Sequence, residues 1–177
     1  MKPPLRQGSP DDFQTPPEAL EPLLPYLKRE WIIWECAVGK GSLAKALERH
    51  GFGVIKSDII TGANFLTDEP EDYDIPKNEP ERMMNYDCII TNPPFSLKQQ
   101  FLERCYELGK PFALLLPLTT FETKKRQELF KKYGLEVILF DKRINFETPN
   151  KVKNSSSWFA TAWFTNGLKI GKELNFI

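Results

Sequence analysis

The feature that most constrains this chain is a recurring one: strand-length apolar runs that alternate with segments of helical patterning. The runs are Trp31 to Cys36, Val54 to Asp58, Asp87 to Thr91, Pro111 to Leu116 and Leu135 to Phe140. Trp31 to Cys36 and Asp87 to Thr91 are the apolar runs that suit buried strands, and the other three read as strands by length and position. Between them lie SLAKALERHG (Ser42 to Gly51), SLKQQFLERCYEL (Ser96 to Leu108) and ETKKRQELFKKYG (Glu122 to Gly134). The last is amphipathic, with Leu129, Phe130 and Tyr133 expected to face inward. Thr15, Pro16 and Pro17 open a further short helix as cap and first-turn prolines. Strands and helices in this order predict an α/β domain with a mostly parallel sheet and helices on both faces. No helical pattern separates Leu135 to Phe140 from Trp158 to Phe164 (WFATAWF). These two are therefore expected to pair as neighbours through a long loop, which makes the last strand antiparallel.

The 177 residues suffice for one domain with a substantial core. Residues 1–12 are expected to form a loose arm, and 67–85 and 145–157 exposed loops. No run approaches the roughly 20 apolar residues of a membrane span, and the start has no apolar stretch of a signal peptide. Cys36, Cys88 and Cys105 are odd in number and lack C-x-x-C spacing, so they read as reduced core thiols of a cytosolic protein. His50 is the only histidine; it argues against a His-based zinc or iron site and fits a helix C-terminus. No metal is expected. Net charge is zero but uneven: residues 1–119 hold 13 Lys/Arg against 18 Asp/Glu, and residues 120–177 hold 11 against 6. Lys124, Lys125, Arg126, Lys151 and Lys153 carry much of the basic excess. They read either as solvated positions or as contacts to nucleic-acid phosphates.

Two motifs carry chemistry. Glu35-Cys36-Ala37-Val38-Gly39-Lys40-Gly41 is a glycine-rich turn between a strand and a helix, where the backbone can bend sharply and approach a ligand closely. By itself G-x-G-x-x-A suits nicotinamide or flavin dinucleotides as well as S-adenosylmethionine. Asp58, 17 residues beyond Gly41 at the end of the next strand, can accept the ribose hydroxyls of an adenosine. It can equally start the turn at Ile59. Glu35 ends a very apolar strand, where a carboxylate needs a partner; it could bond the glycine loop or balance a cationic ligand.

Thr91-Asn92-Pro93-Pro94-Phe95 lies between a buried strand and a helix. Two prolines remove two N–H donors, leaving an acceptor-rich edge formed by the Asn92 side-chain oxygen and neighbouring carbonyls. Such an edge holds a planar amine by its two hydrogens, and Phe95 covers the ring that carries it. Two acceptors aimed at those hydrogens favour a tetrahedral nitrogen whose lone pair can take a sulfonium methyl. The plainer alternative makes Asn92 a helix cap and Phe95 a core residue.

Together these residues resemble the amino-methyltransferase branch of the S-adenosylmethionine-dependent superfamily, and most closely the small DNA adenine methyltransferases of phages and prophages. The resemblance runs roughly from Phe13 to Phe164. It implies a Rossmann-like class I methyltransferase sheet and an enzyme that methylates the N6 amine of adenine in DNA. Asn92, Pro93, Pro94 and Phe95 then form the catalytic loop. Glu35, Cys36, Ala37, Gly39 and Gly41 form the cofactor's glycine loop, and Asp58 with Ile59 its ribose-binding segment. Phe13, Thr15 and Pro16 match an F-x-T-P segment at the methionine end of the cofactor. Asn64 and Phe65, with Leu66, stand where the family places an acid-aromatic-leucine stretch near the adenine. The implied partner is nucleic acid, with no membrane, for a cytoplasmic monomer or homodimer in a bacterium or phage-infected cell. RNA adenine, cytosine N4 and protein glutamine amines obey the same acceptor logic. A nicotinamide oxidoreductase shares the glycine loop but leaves the Asn-Pro-Pro-Phe loop unexplained. A non-catalytic binding module has no chemical reason to keep these residues together.

Overall fold

The computed structural model describes residues 11, 13–68, 85–146 and 159–176; the acidic 69–84 and polar 147–158 stretches, with Lys151 and Lys153, lie outside them. Seven strands form one sheet: β1 (Ile32–Glu35), β2 (Gly53–Lys56), β3 (Cys88–Thr91), β4 (Phe112–Pro117), β5 (Glu136–Leu139), β6 (Thr161–Asn166) and β7 (Leu174–Phe176). Their order is β2-β1-β3-β4-β6-β5-β7. All neighbours are parallel except the pairs made by β6, which runs antiparallel between β4 and β5. The expected antiparallel strand is thus present, shifted to start at Thr161. A further short strand, β7, follows it and pairs parallel with β5.

Helices α1 (Ser42–Arg49), α2 (Lys98–Leu108) and α3 (Lys124–Tyr133) follow β1, β3 and β4. The segment before β1 is a 3-10 helix, Pro17–Tyr26, because Pro22 and Pro25 inside it lack the N–H that an α-helix would use. Pro16, not Thr15, precedes it, and no side chain caps it.

One face of the sheet packs Ile33, Ile90, Leu115 and Trp163 against Leu20 and Leu23 of the 3-10 helix and Leu43 and Leu47 of α1. The indole N–H of Trp163 donates to the Ala19 carbonyl at 2.7 Å, which satisfies the one polar atom of that ring. The other face packs Trp34, Ile89, Leu114 and Phe164 against Phe101, Leu102 and Cys105 of α2, with Leu129 and Phe130 of α3 at its margin. Fully burying a side chain of this size contributes about 1.5–3 kcal/mol, so both helix layers are firmly held. Tyr133 departs from the expected inward set: it is 45% exposed and stacks on Tyr106 with ring centroids 5.0 Å apart. Cys36, Cys88 and Cys105 are all buried and unbridged, and desolvation pushes each thiol well above its ordinary pKa. Among the described residues no helix is long and apolar enough to cross a membrane.

Because β1 to β4 are parallel, their C-terminal ends share one edge. The glycine loop, Asp58, Asn92 and the start of α3 all leave the sheet there, where open α/β sheets bind ligands.

Candidate functional site

The glycine loop begins at Glu35, whose side chain is 1% exposed. The Thr91 hydroxyl on the adjacent strand donates to its Oε1, and the Ala37 N–H donates to the same oxygen at 3.1 Å. Burial is the largest influence on this carboxyl and pushes its pKa up to about 7, against the opposing bonds from Thr91 and Ala37. Near neutral pH Glu35 therefore stands between its protonated and ionised forms. A cationic group at this strand tip would draw it to the ionised side.

The loop is held by its own bonds: Gly41 N–H donates to Val38 O at 2.8 Å. Gly39 and Gly41 adopt φ of 52° and 82°, a conformation that side chains resist. Asp58 ends the next segment and accepts twice, from Gly39 N–H at 2.7 Å and Ile60 N–H at 2.8 Å. It thus caps the turn Ile59–Thr61 and ties it to the glycine loop. Each carboxylate oxygen has two lone pairs, so these bonds leave acceptor capacity for hydroxyls. Ile59 and Ile60 beside it are 40% and 61% exposed.

Asn64 and Phe65 follow. Asn64 Oδ1 accepts from Leu66 N–H at 3.2 Å, and Asp68 Oδ2 accepts from Asn64 N–H at 2.6 Å. Phe65 is buried between Trp34 and Phe101, and Arg104 of α2 donates to the Phe65 and Asp68 carbonyls. The Cys36 side chain likewise lies in the core, so of the loop it is Glu35, Ala37 and Val38 that face the site.

The Asn-Pro-Pro-Phe loop begins one residue after Thr91 and leads into a 3-10 turn, Phe95–Leu97, and then α2. Pro94 O accepts from Leu97 N–H at 2.9 Å, and Lys98 Nζ donates to Phe95 O at 3.1 Å. Asn92 Nδ2 donates to the Phe13 carbonyl at 2.7 Å, which fixes which way the amide faces. Its Oδ1 is buried and has no hydrogen-bond partner. A small cavity of about 20 Å³, room for one water molecule, separates Asn92 from Glu35, Ala37, Val38 and Ser42, with Phe13, Gln14 and Thr15 as its lid.

Four phenylalanines meet above the loop. Phe13 stacks on Phe95 with centroids 5.3 Å apart and planes 21° apart. Phe146 and Phe159, from the two ends of the β5–β6 connection, meet Phe95 edge-on at 6.1 and 5.4 Å. Sequence reasoning placed Phe13 and Phe95 at the site but missed Phe146, Phe159, Thr91 and Gln14. The signal for Thr91 was its position beside Asn92. Only the β1–β3 adjacency brings it to Glu35.

The basic residues divide. Lys124 and Lys125 are exposed at the start of α3, within 3.9 Å of Glu128 and 2.6 Å of Glu103 respectively. Arg126 is 8% exposed, and its guanidinium donates to Thr120 O at 2.5 Å and Thr119 O at 3.3 Å. It anchors α3 to the turn after β4, so the expectation that it faces phosphate is corrected.

No family model and no curated protein matches this chain in sequence. Solved structures share its fold. It superposes on a modification subunit of a putative type I restriction enzyme from Vibrio vulnificus with a TM-score of 0.51 and 13% identity, over 89% of this chain and 45% of that one. A release-factor-specific protein-(glutamine-N5) methyltransferase from Alicyclobacillus acidocaldarius gives 0.43 and 19% over 84% and 90% of the two chains. A predicted O-methyltransferase from Agrobacterium tumefaciens gives 0.41 and 13% over 88% and 82%. The chain thus spans less than half the length of the restriction-enzyme subunit. Its sheet is of the Rossmann-like class I methyltransferase type, and at these identities the likeness concerns the fold.

Proposed function

We propose that this chain transfers a methyl group from S-adenosylmethionine to the exocyclic N6 amine of adenine in DNA. The observation that carries the reading is Asn92 Oδ1, an acceptor buried without a partner at the ligand-binding edge of the sheet. Leaving such an atom unpaired costs about 1–3 kcal/mol, a cost that a donor on a ligand would remove. The prolines on its C-terminal side bring no competing N–H. The four phenylalanines form flat walls, which favour a planar aromatic amine over an aliphatic amide. A restriction-enzyme modification subunit shares the fold, and exposed Lys124 and Lys125 at the same edge have the sign that phosphates require.

The residues present fit S-adenosylmethionine. Asp58, with spare lone pairs, suits ribose hydroxyls; exposed Ile59 suits an apolar ring; buried Glu35 suits an ammonium group. Gly39 and Gly41 keep Cβ atoms out of the cradle. When bound, the cofactor supplies an electrophilic methyl on its sulfonium. This chain's own work is to hold the amine. Asn92 Oδ1 accepts one amine hydrogen, and a carbonyl of the same loop accepts the other. Both bonds favour a tetrahedral nitrogen with an available lone pair, and Phe95 fixes the ring plane. The nitrogen gains the methyl and sheds one proton. In duplex DNA the base must first leave the stack.

The test is incubation with methyl-labelled S-adenosylmethionine and duplex DNA, single-stranded DNA or RNA, followed by digestion to nucleosides. Label in N6-methyldeoxyadenosine is the expected result. Label confined to RNA or to cytosine would redirect the substrate, and no label in any nucleoside would overturn the reading.

A further inference from the structure

Two adjacent side chains of the N-terminal segment stand in the two halves of this site. Gln14 lies on the glycine loop. Its Oε1 accepts from Lys40 N–H at 2.9 Å, and its amide is so close to Gly39 that a Cβ there would meet Nε2 at 2.9 Å. The close approach that the glycine permits is thus taken by the chain's own side chain. Phe13 lies on the catalytic loop. Its ring stacks on Phe95 and meets Phe146 and Phe159 edge-on at 5.8 and 5.4 Å, and its carbonyl holds the Asn92 amide. Asp11 makes a further contact, accepting from Ser96 N–H at 3.3 Å. What remains between the two loops is the cavity of about 20 Å³, far below the roughly 300 Å³ or more of a small-molecule site.

A ring already stacked on Phe95 excludes a second flat ring from that face. An amide already seated on Gly39 and Lys40 excludes a ligand from the glycine loop. Consecutive Cα atoms are about 3.8 Å apart, so a backbone shift of Gln14 away from the glycine loop carries Phe13 with it.

We propose that Phe13 and Gln14 form a two-headed plug, and that cofactor entry at the glycine loop withdraws Phe13 from Phe95 and so opens the target site. The names of the two ligands rest on the methyltransferase reading; the plug itself rests on the contacts above. Coupling of this kind is reciprocal. The closed plug also lowers the apparent affinity of either ligand by the fraction of molecules that are open.

The probe is S-adenosylhomocysteine, bound to the full chain and measured by calorimetry. Phe13→Ala removes the stack that holds the plug and is expected to tighten binding roughly two- to tenfold. Phe13→Tyr keeps the ring and the stack, so the tightening expected of Phe13→Ala should be absent from it. A second readout keeps the ring and uses Asp11→Cys, on the same segment, where the wild-type side chain docks on Ser96 N–H. The native cysteines are buried, so alkylation by iodoacetamide reports position 11, and saturating S-adenosylhomocysteine is expected to speed it several-fold as the segment withdraws. Weaker binding by Phe13→Ala, or alkylation slowed or unchanged by the probe, would overturn the plug and make Phe13 a fixed wall of the cofactor site. No binding of the probe by folded wild-type protein would overturn the methyltransferase reading, and the cofactor arm of the plug with it.

Discussion

The glycine loop and the Asn-Pro-Pro-Phe loop leave adjacent strands at the same edge, yet they treat their hydrogen bonds in opposite ways. On the glycine loop the N–H groups of Ala37, Gly39, Lys40 and Gly41 are all engaged, by Glu35, Asp58, Gln14 and Val38. On the Asn-Pro-Pro-Phe loop two residues have no N–H to engage, and the Asn92 side-chain oxygen is buried without a partner. A ligand at the first loop exchanges existing bonds for new ones, so each contact nets little. A donor reaching Asn92 relieves a cost the folded protein already bears. The proposed function therefore concentrates discrimination at Asn92 and gives the glycine loop the task of positioning the ligand. Glu35 joins the two, because its carboxyl takes bonds from Ala37 on one side and from Thr91, one residue before Asn92, on the other.

The largest effect expected from disturbing this arrangement is at Glu35. Its carboxyl is raised from 4.5 to about 7 on folding, so the native state binds a proton that the unfolded state releases between those values. Stability contributed at this position is therefore full below about pH 4.5, falls as pH rises, and reaches its lowest level above pH 7. The change is about 3 kcal/mol. Glu35→Gln cannot ionise, so the difference between variant and wild type in urea denaturation should grow in the variant's favour across that window. A difference independent of pH would mean that Glu35 is already ionised throughout.

Phe95→Leu should sharpen the contrast on the catalytic side. It stays apolar but is smaller and loses the ring face that stacks on Phe13. Methyl transfer should fall roughly ten- to a hundredfold, while S-adenosylhomocysteine affinity should rise like that of Phe13→Ala, since both variants lose the same stack. Equal loss in both would place Phe95 in the cofactor's half. Asp58→Ala tests the other side. It strips the Gly39 and Ile60 amides of their acceptor and should weaken cofactor binding roughly tenfold, with turnover at saturation largely retained. The smallest effect belongs to the outer edge. Neutralising Lys124 and Lys125 to Gln should weaken DNA binding a few-fold and flatten its salt dependence. Arg126→Gln should instead lower the melting temperature, because it frees the Thr119 and Thr120 carbonyls that Arg126 holds. Unchanged salt dependence in the double lysine variant would move the phosphate surface elsewhere.

The architecture was legible because long apolar runs and glycine-ended helices report backbone state locally. Trp31 to Cys36 and Pro111 to Leu116 could be little other than buried strands, and the missing helix before WFATAWF correctly indicated an antiparallel neighbour. β7 was not legible, since three residues are too few to show a period. Tyr133 falls at an inward helical spacing but finds Tyr106 at the rim and stays half out. At the candidate site, Asn92, Phe95, Asp58 and the glycines could be singled out by type and spacing, and the sheet brings their loops to one edge. What the residues could not disclose is which partners the sheet order and loops supply. Thr91 meets Glu35 across 56 positions, and Asn92 meets Phe13 across 79. Arg126 belongs to a run of basic residues, and only the turn after β4 distinguishes it from its exposed neighbours.

The most direct test of the central claim is single-turnover methyl transfer to DNA by Asn92→Ala beside wild type, with S-adenosylhomocysteine binding measured on the same preparations. Asn92 Oδ1 has no partner in the protein to lose and the Nδ2 bond to the Phe13 carbonyl is the contact given up, so the fold should persist and the cofactor still bind while transfer falls by a factor on the order of 10² to 10³. Transfer within a few-fold of wild type, with the cofactor bound, would contradict the account and return Asn92 to the role of a structural turn residue.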